Sequence, residues 1–282
     1  MKVERIDLYE YFGKQKPCGA EAFLTAYLHE VSEEYSANRM RPAMLIIPGG
    51  AYCSCCERES EPVAIEFLAR GFNTFVLNYS VKDHSNVEYP YQLLEGCMAI
   101  AYIRENAKNL AVNPEKICSA GFSAGGHLCA MLATLTGETA VKDFLKERAE
   151  LCRPNAVVLS YPVISSQLDA GRSDSIKMLC GDSEYLQEYL SLEKRVDKNS
   201  VPAFIWSTYE DKAVLCENSL LMALEYKKAG VPFELHVFEK GAHGLSLATA
   251  EVGMSLPASA VWVDMATIWL KNRGFELKDK EI

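Results

Sequence analysis

The stretch from Lys116 to Leu135 constrains the fold more than any other part of the chain. A short strand-like run, Lys116–Ala120, gives way to Gly121-Phe122-Ser123-Ala124-Gly125 and then to an almost entirely apolar helical segment, Ala124–Leu135. A chain that passes from strand to helix in so few residues must turn sharply. The positions two before and two after the serine therefore need to lack a Cβ. Such a turn lifts the hydroxyl out at the carboxyl end of a sheet, where open α/β sheets bind ligands. It also seats the serine at the head of a helix, whose dipole favours developing negative charge. This G-x-S-x-G spacing predicts Ser123 as a nucleophile. The competing reading is a plain serine N-cap whose glycines serve only packing. A phosphate-binding loop is excluded because no Gly-Lys-Ser/Thr follows, and Gly121, Gly125 and Gly126 do not fit the dinucleotide spacing.

Around this element strands and helices alternate, which predicts a mostly parallel sheet covered on both faces, an α/β class of fold. The predicted strands are Ala22–Leu28 (at an edge), Ala43–Ile47, Asn73–Leu77, Lys116–Ala120, Ala156–Leu159, Ala203–Thr208 and Phe233–Phe238. The predicted helices are Pro62–Ala69, Tyr91–Asn106, Ala124–Leu135, Val214–Ala229 and Ala258–Asn272. Residues 165–200 break the alternation, are more polar and carry Gly171 and Gly181. They read as a lid-like insertion within a single domain spanning residues 1–282.

A serine hydroxyl needs a base within hydrogen-bond reach. Of His29, His84, His127, His236 and His243, the chain order Ser–acid–His excludes the first two. His127 lies on the helix just after Ser123, and His236 is committed to one face of a strand. His243, in Gly241-Ala242-His243-Gly244 after the last strand, is the candidate base. The acid belongs after the strand Ala203–Thr208, where Glu210 and Asp211 both qualify. Acyl transfer also needs donors for an oxyanion. Backbone N–H groups of Ala124 and of the Pro48-Gly49-Gly50-Ala51-Tyr52 loop, at Gly50 and Ala51, are placed for it. Tyr52 is a candidate substrate contact, with packing beneath the loop as the other reading.

Lys+Arg 29 against Asp+Glu 38 leaves a net charge of −9, which argues against nucleic acid as a partner. No segment reads as a signal peptide or a membrane span, so no membrane partner is expected. The 10 cysteines then read as reduced thiols, and the expected location is the cytoplasm. Cys53-Ser54-Cys55-Cys56 lacks a second Cys/His pair at ligand spacing, so it is a weak zinc signal. No metal or organic cofactor is expected, and the oligomeric state is left open.

PGGAY at 48–52, Arg58-Glu59 with Glu61-Pro62, GFSAGGHL at 121–128, Asp211 and GAHGL at 241–245 together resemble α/β-hydrolase esterases of the acetyl esterase and acetylxylan esterase-like family. The resemblance runs from about Leu24 to the final helix. It implies an α/β-hydrolase fold, a cofactor-free serine carboxylesterase, and release of small acyl groups, commonly acetate, from sugar hydroxyls such as those of xylo-oligosaccharides. It favours Asp211 over Glu210 as the acid. Ala51 departs from the family's third loop glycine, and the cysteines after Tyr52 are also unusual. Two alternatives stay open: a serine peptidase related to the prolyl oligopeptidases, and a hydrolase fold used as a ligand-binding or redox module through Cys53–Cys56.

Overall fold

A computed structural model of the chain describes residues 1–17, 19–34, 39–83, 88–169 and 174–277. Among these, the apolar runs become strands of one sheet: β1 Lys2–Asp7, β2 Phe23–Leu28, β3 Arg41–Ile47, β4 Asn73–Asn78, β5 Val112–Phe122, β6 Ala156–Ser160, β7 Ala203–Thr208 and β8 Phe233–Phe238. Their order is β1-β2-β4-β3-β5-β6-β7-β8. β2 runs antiparallel to both neighbours, and every pairing from β4 through β8 is parallel. The inner strands β6 and β7 are buried along their whole length, which is why their sequences are continuous apolar runs instead of alternating ones.

The helices are α1 Leu8–Phe12, α2 Glu61–Ala69, α3 Tyr91–Glu105, α4 Ala124–Thr134, α5 Thr139–Leu145, α6 Ser166–Asp169, α7 Ser175–Cys180, α8 Glu184–Tyr189, α9 Glu217–Ala229, α10 Pro257–Ala260 and α11 Trp262–Lys271. Two apolar layers form, one on each face of the sheet. Leu93, Ile100, Leu128, Met131, Met222 and Tyr226 from α3, α4 and α9 fill the first. Phe67 of α2 and Trp262 and Trp269 of α11 fill the second, with the Trp262 ring stacked on Trp206 of β7 at 5.0 Å. Such burial is the main favourable contribution to the fold.

Several expected boundaries move. β2 is not an edge strand, because β1 pairs along its outer side. The sequence of β1, KVERID, is charged because one face of this true edge meets solvent. The helix expected from Val214 begins at Glu217, since the N–H groups of Ala213 and Val214 are given to the Asp211 carboxylate. The expected helix 258–272 is two helices, α10 and α11, meeting at Val261. Residues 165–200 carry α6, α7, α8 and a 3₁₀ turn, Leu192–Arg195. The start of this segment is fastened to the body: Asn218 Oδ1 of α9 accepts the N–H groups of Ser165 and of the preceding Ile164 at 3.1 and 2.9 Å. His84 and Gly171 lie outside the described residues. No helix among the described residues is long and apolar enough to cross a membrane.

Candidate active site

The turn between β5 and α4 has the form its glycines demand. Ser123 sits at φ 54° and ψ −119°, a backbone conformation that costs energy for a residue with a Cβ and survives only where the surroundings enforce it. The enforcement is packing. A Cβ on Gly121 would lie 2.5 Å from Cys129 Cβ and overlap the Gly125 carbonyl, and one on Gly125 would overlap the carbonyls of Ile47 and Pro48. One on Gly126 would meet Pro162 at 2.8 Å. The Ser123 N–H donates to Ser160 O at 3.0 Å, and Ser123 O accepts from His127 and Val163, so backbone bonds hold the strained residue on both sides.

Three side chains far apart in the chain meet at the carboxyl ends of β5, β7 and β8. His243 Nε2 is 2.8 Å from Ser123 Oγ, and His243 Nδ1 is 2.6 Å from Asp211 Oδ2. Asp211 is fully buried, and its other oxygen, Oδ1, accepts the N–H groups of Ala213 and Val214, both at 2.9 Å. A carboxylate so placed takes the Nδ1–H of the ring, leaving Nε2 free to accept the serine O–H. Glu210 goes elsewhere: it is exposed, pairs with Lys240 Nζ at 2.8 Å and accepts Gly241 N–H. That lysine partner also holds the Glu210 carboxyl below its ordinary range. Of the other histidines, His29 Nε2 lies against Leu68 O and His236 Nε2 against Glu234, away from the serine.

The loop after β3 carries the other expected donors. It is coiled on itself, with Cys53 N–H and Ser54 N–H both donating to Gly50 O, and with Ala51 and Tyr52 at φ 54° and 59°. Gly49 N–H is already taken by Glu59 Oε2 at 2.8 Å. The N–H groups of Gly50, Ala51 and Ala124 have no acceptor among the described residues, so they remain available to a bound oxyanion.

Tyr52 is not open to a substrate, contrary to one of the two expectations for it. It is 1% exposed, and its hydroxyl lies 2.9 Å from His127 Nδ1. The positive φ values at Ala51 and Tyr52 turn the ring beneath the loop. His127 Nε2–H must donate to Leu190 O at 2.8 Å, so Nδ1 accepts and the tyrosine donates. Burial pushes the His127 pKa down to about 4, so the ring is neutral at pH 7.

Glu59 gave no chemical signal in the sequence beyond its place in the family motif, yet it is 1% exposed and touches the loop after β3. Its second oxygen, Oε1, accepts the Tyr161 O–H at 2.7 Å. Burial raises its pKa above the ordinary glutamate value. Two thiols beside this loop, Cys55 and Cys56, are poor candidates for chemistry. Burial pushes Cys55 up to about 12 and also raises Cys56, favouring the protonated, unreactive form. Among the described residues, no group of three or more His, Cys, Asp or Glu side chains is arranged to hold a metal ion.

A parallel sheet flanked by helices, with a strained serine between strand and helix, defines the α/β-hydrolase fold. The chain is 34% identical to a solved acetyl ester-xyloside bifunctional hydrolase from Caldicellulosiruptor lactoaceticus, with a TM-score of 0.83 and 97% of each chain covered. It is 42% identical over 235 residues to endo-1,4-beta-xylanase B of Butyrivibrio fibrisolvens, covering 81% of this chain. It is 27% identical over 214 residues, 73% of this chain, to an acetylxylan esterase of Xylanibacter ruminicola. The chain spans only 35% and 42% of the lengths of those two relatives. Residues 30–226 match the BD-FAE family, and the chain belongs to that family, as an α/β-hydrolase of the acetylxylan esterase-like type.

Proposed function

We propose that the chain is a serine carboxylesterase that hydrolyses small acyl esters, acetyl above all, carried on sugars such as xylo-oligosaccharides. The observation that carries this reading is the run of short contacts from Asp211 through His243 to Ser123, at 2.6 and 2.8 Å. His243 takes the proton as Ser123 Oγ attacks the acyl carbon, and Asp211 holds the ring tautomer and stabilises the imidazolium. The oxyanion is bound by the N–H groups of Ala124, Gly50 and Ala51. Collapse of the tetrahedral intermediate expels the alcohol, which receives the proton from His243. Water then attacks the acyl-enzyme with the same base, releasing the acid and restoring the serine.

The relatives' names support the substrate class: one acts on acetyl ester and xyloside, another on acetylxylan. In this reading the lid-like insertion is tied to the body at Leu190, whose carbonyl accepts His127 Nε2–H at 2.8 Å. The nine described cysteines are all free, which supports a reducing compartment such as the cytoplasm, where short acetylated oligosaccharides are the accessible form. The test is p-nitrophenyl acetate turnover by wild type and Ser123→Ala, followed by a panel of acetylated xylo-oligosaccharides and aminoacyl anilides. The reading expects at least a 10³-fold loss on substitution, acetate release from the sugars and no cleavage of the anilides. Full turnover by a folded Ser123→Ala protein refutes it.

A further inference from the structure

The oxyanion loop and the histidine loop lie on opposite sides of Ser123, and a buried chain of hydrogen bonds joins them. Glu59 is its centre. One carboxylate oxygen accepts Gly49 N–H at 2.8 Å, and the other accepts Tyr161 O–H at 2.7 Å. Tyr161 in turn accepts the N–H of Ser246 at 2.8 Å, three residues beyond His243. Ser246 closes the circuit, its hydroxyl donating to Arg58 O at 2.5 Å and its carbonyl accepting Trp262 Nε1–H at 2.9 Å. The Tyr161 ring also meets the His243 ring edge-on at 5.2 Å. Space around the carboxylate is tight: a Cβ on Gly49 would touch Glu59 Oε2 at 2.8 Å and Ser123 Cβ at 2.9 Å.

We propose that Glu59, acting through Gly49 and Tyr161, is a positioning residue that sets the oxyanion donors and His243 in a fixed relation, and that its negative charge also favours the imidazolium formed during acyl transfer. This deepens the esterase reading and rests on it. The partners of Glu59 match an ionised carboxylate. Both protein groups that meet it, Gly49 N–H and Tyr161 O–H, are donors, so the acceptor-only form matches them without a leftover proton. Such charge-assisted bonds are also about twice as strong as neutral ones, which suits a clamp. The charged and titratable groups facing Glu59 are Arg58, Tyr161, His243, Tyr79 and Cys56. Of these, Arg58 and protonated His243 are the cations, so loss of the Glu59 charge is felt at the imidazole.

The experiment compares wild type, Glu59→Gln and Tyr161→Phe with p-nitrophenyl acetate across pH, each normalised to active serines counted with a fluorophosphonate. Removing an oxyanion donor outright costs about 10²–10³ in rate. A donor loop that is loosened but present should lose less, about 10–100-fold in kcat, with KM within about threefold. The acid limb of kcat/KM should move to lower pH in Glu59→Gln, because the imidazolium has lost an anion that favoured it. Tyr161→Phe should lower kcat while leaving that limb in place, since the carboxylate stays. If Glu59→Gln does not fold, a kcat in Tyr161→Phe equal to wild type overturns the proposal. So does a folded Glu59→Gln with unchanged kcat and acid limb, provided wild type labels at Ser123. Wild type that neither labels nor turns over is a failure of the esterase reading instead.

Discussion

Replacing Tyr52 with phenylalanine removes one oxygen from a buried relay and nothing else. The lost O–H is the donor to His127 Nδ1, at 2.9 Å, and that nitrogen has no other donor among the described residues. His127 is wholly buried, so water cannot substitute without opening the core. Stranding such an acceptor costs about 1–3 kcal/mol. For a chain of this size each kcal/mol lowers the melting temperature by about 2–4 °C, which gives a fall of roughly 2–12 °C. The loop after β3 should itself hold. It is fixed independently by Cys56 N–H to Gly49 O, Lys82 N–H to Tyr52 O and Asp83 N–H to Cys53 O, each at 2.9 Å. Differential scanning calorimetry and steady-state kinetics on the same preparation read both effects. A lower melting temperature with KM for p-nitrophenyl acetate within about twofold of wild type is the expected result. A severalfold rise in KM with no change in melting temperature would refute the placement, because it would mean that the hydroxyl meets the substrate and not His127.

Asp211→Asn should lower kcat by about 10³–10⁴ by disfavouring the required histidine tautomer. Glu210→Gln, whose carboxylate binds Lys240 and Gly241 N–H, should stay within about twofold, and equal losses would contradict the assignment. Gly125→Ala drives a methyl into the Ile47 and Pro48 carbonyls, so it should cost about 1–3 kcal/mol of stability and at least 10²-fold in kcat; wild-type urea and kinetic behaviour would contradict that geometry. His127 has a folded-state pKa of about 4 against about 6.5 unfolded, so its contribution is fully present above pH 6.5 and is lost as pH falls toward 4, by about 3 kcal/mol. Glu95, pushed up to about 7 by burial, works in the opposite sense, losing stability as pH rises from about 4.5 through 7. Urea unfolding of wild type and His127→Gln at pH 7 and 4.5 therefore isolates the histidine: the variant should lose less between the two, and parallel losses would exclude His127 as the source.

The features that were legible in the sequence share one cause, a steric or periodic demand that few residue types satisfy. Gly121 and Gly125 are forced by close backbone and side-chain approach, so the elbow at Ser123 could be read from their spacing between a strand and a helix. The mostly apolar run Ala203–Thr208 gave β7 its full extent, because both faces are buried, whereas β5 starts at Val112, four residues before the apolar run that marked it. What could not be read depends on contacts between distant residues. Glu210 and Asp211 are neighbours of similar chemistry, and only the Lys240 side chain on one and the turn at Ala213 and Val214 on the other separate them. Tyr52 could face either way until the positive φ values of its loop were known. Glu59 lies in the polar stretch Glu57-Arg58-Glu59-Ser60-Glu61, which by composition belongs on the surface. Nothing local signals that Tyr161, 102 residues away, would supply its donor. The N-terminal strand β1 was hidden by its charges, which belong to an edge.

Acid-quenched turnover of an acetyl ester, followed by peptide mass spectrometry, tests the central claim most directly. An acetyl group on the peptide containing Ser123, accumulating in wild type and absent in Ser123→Ala, is the predicted result. Acetate released at wild-type rates with that serine never acylated, or with the acetyl group trapped on another residue, would contradict it.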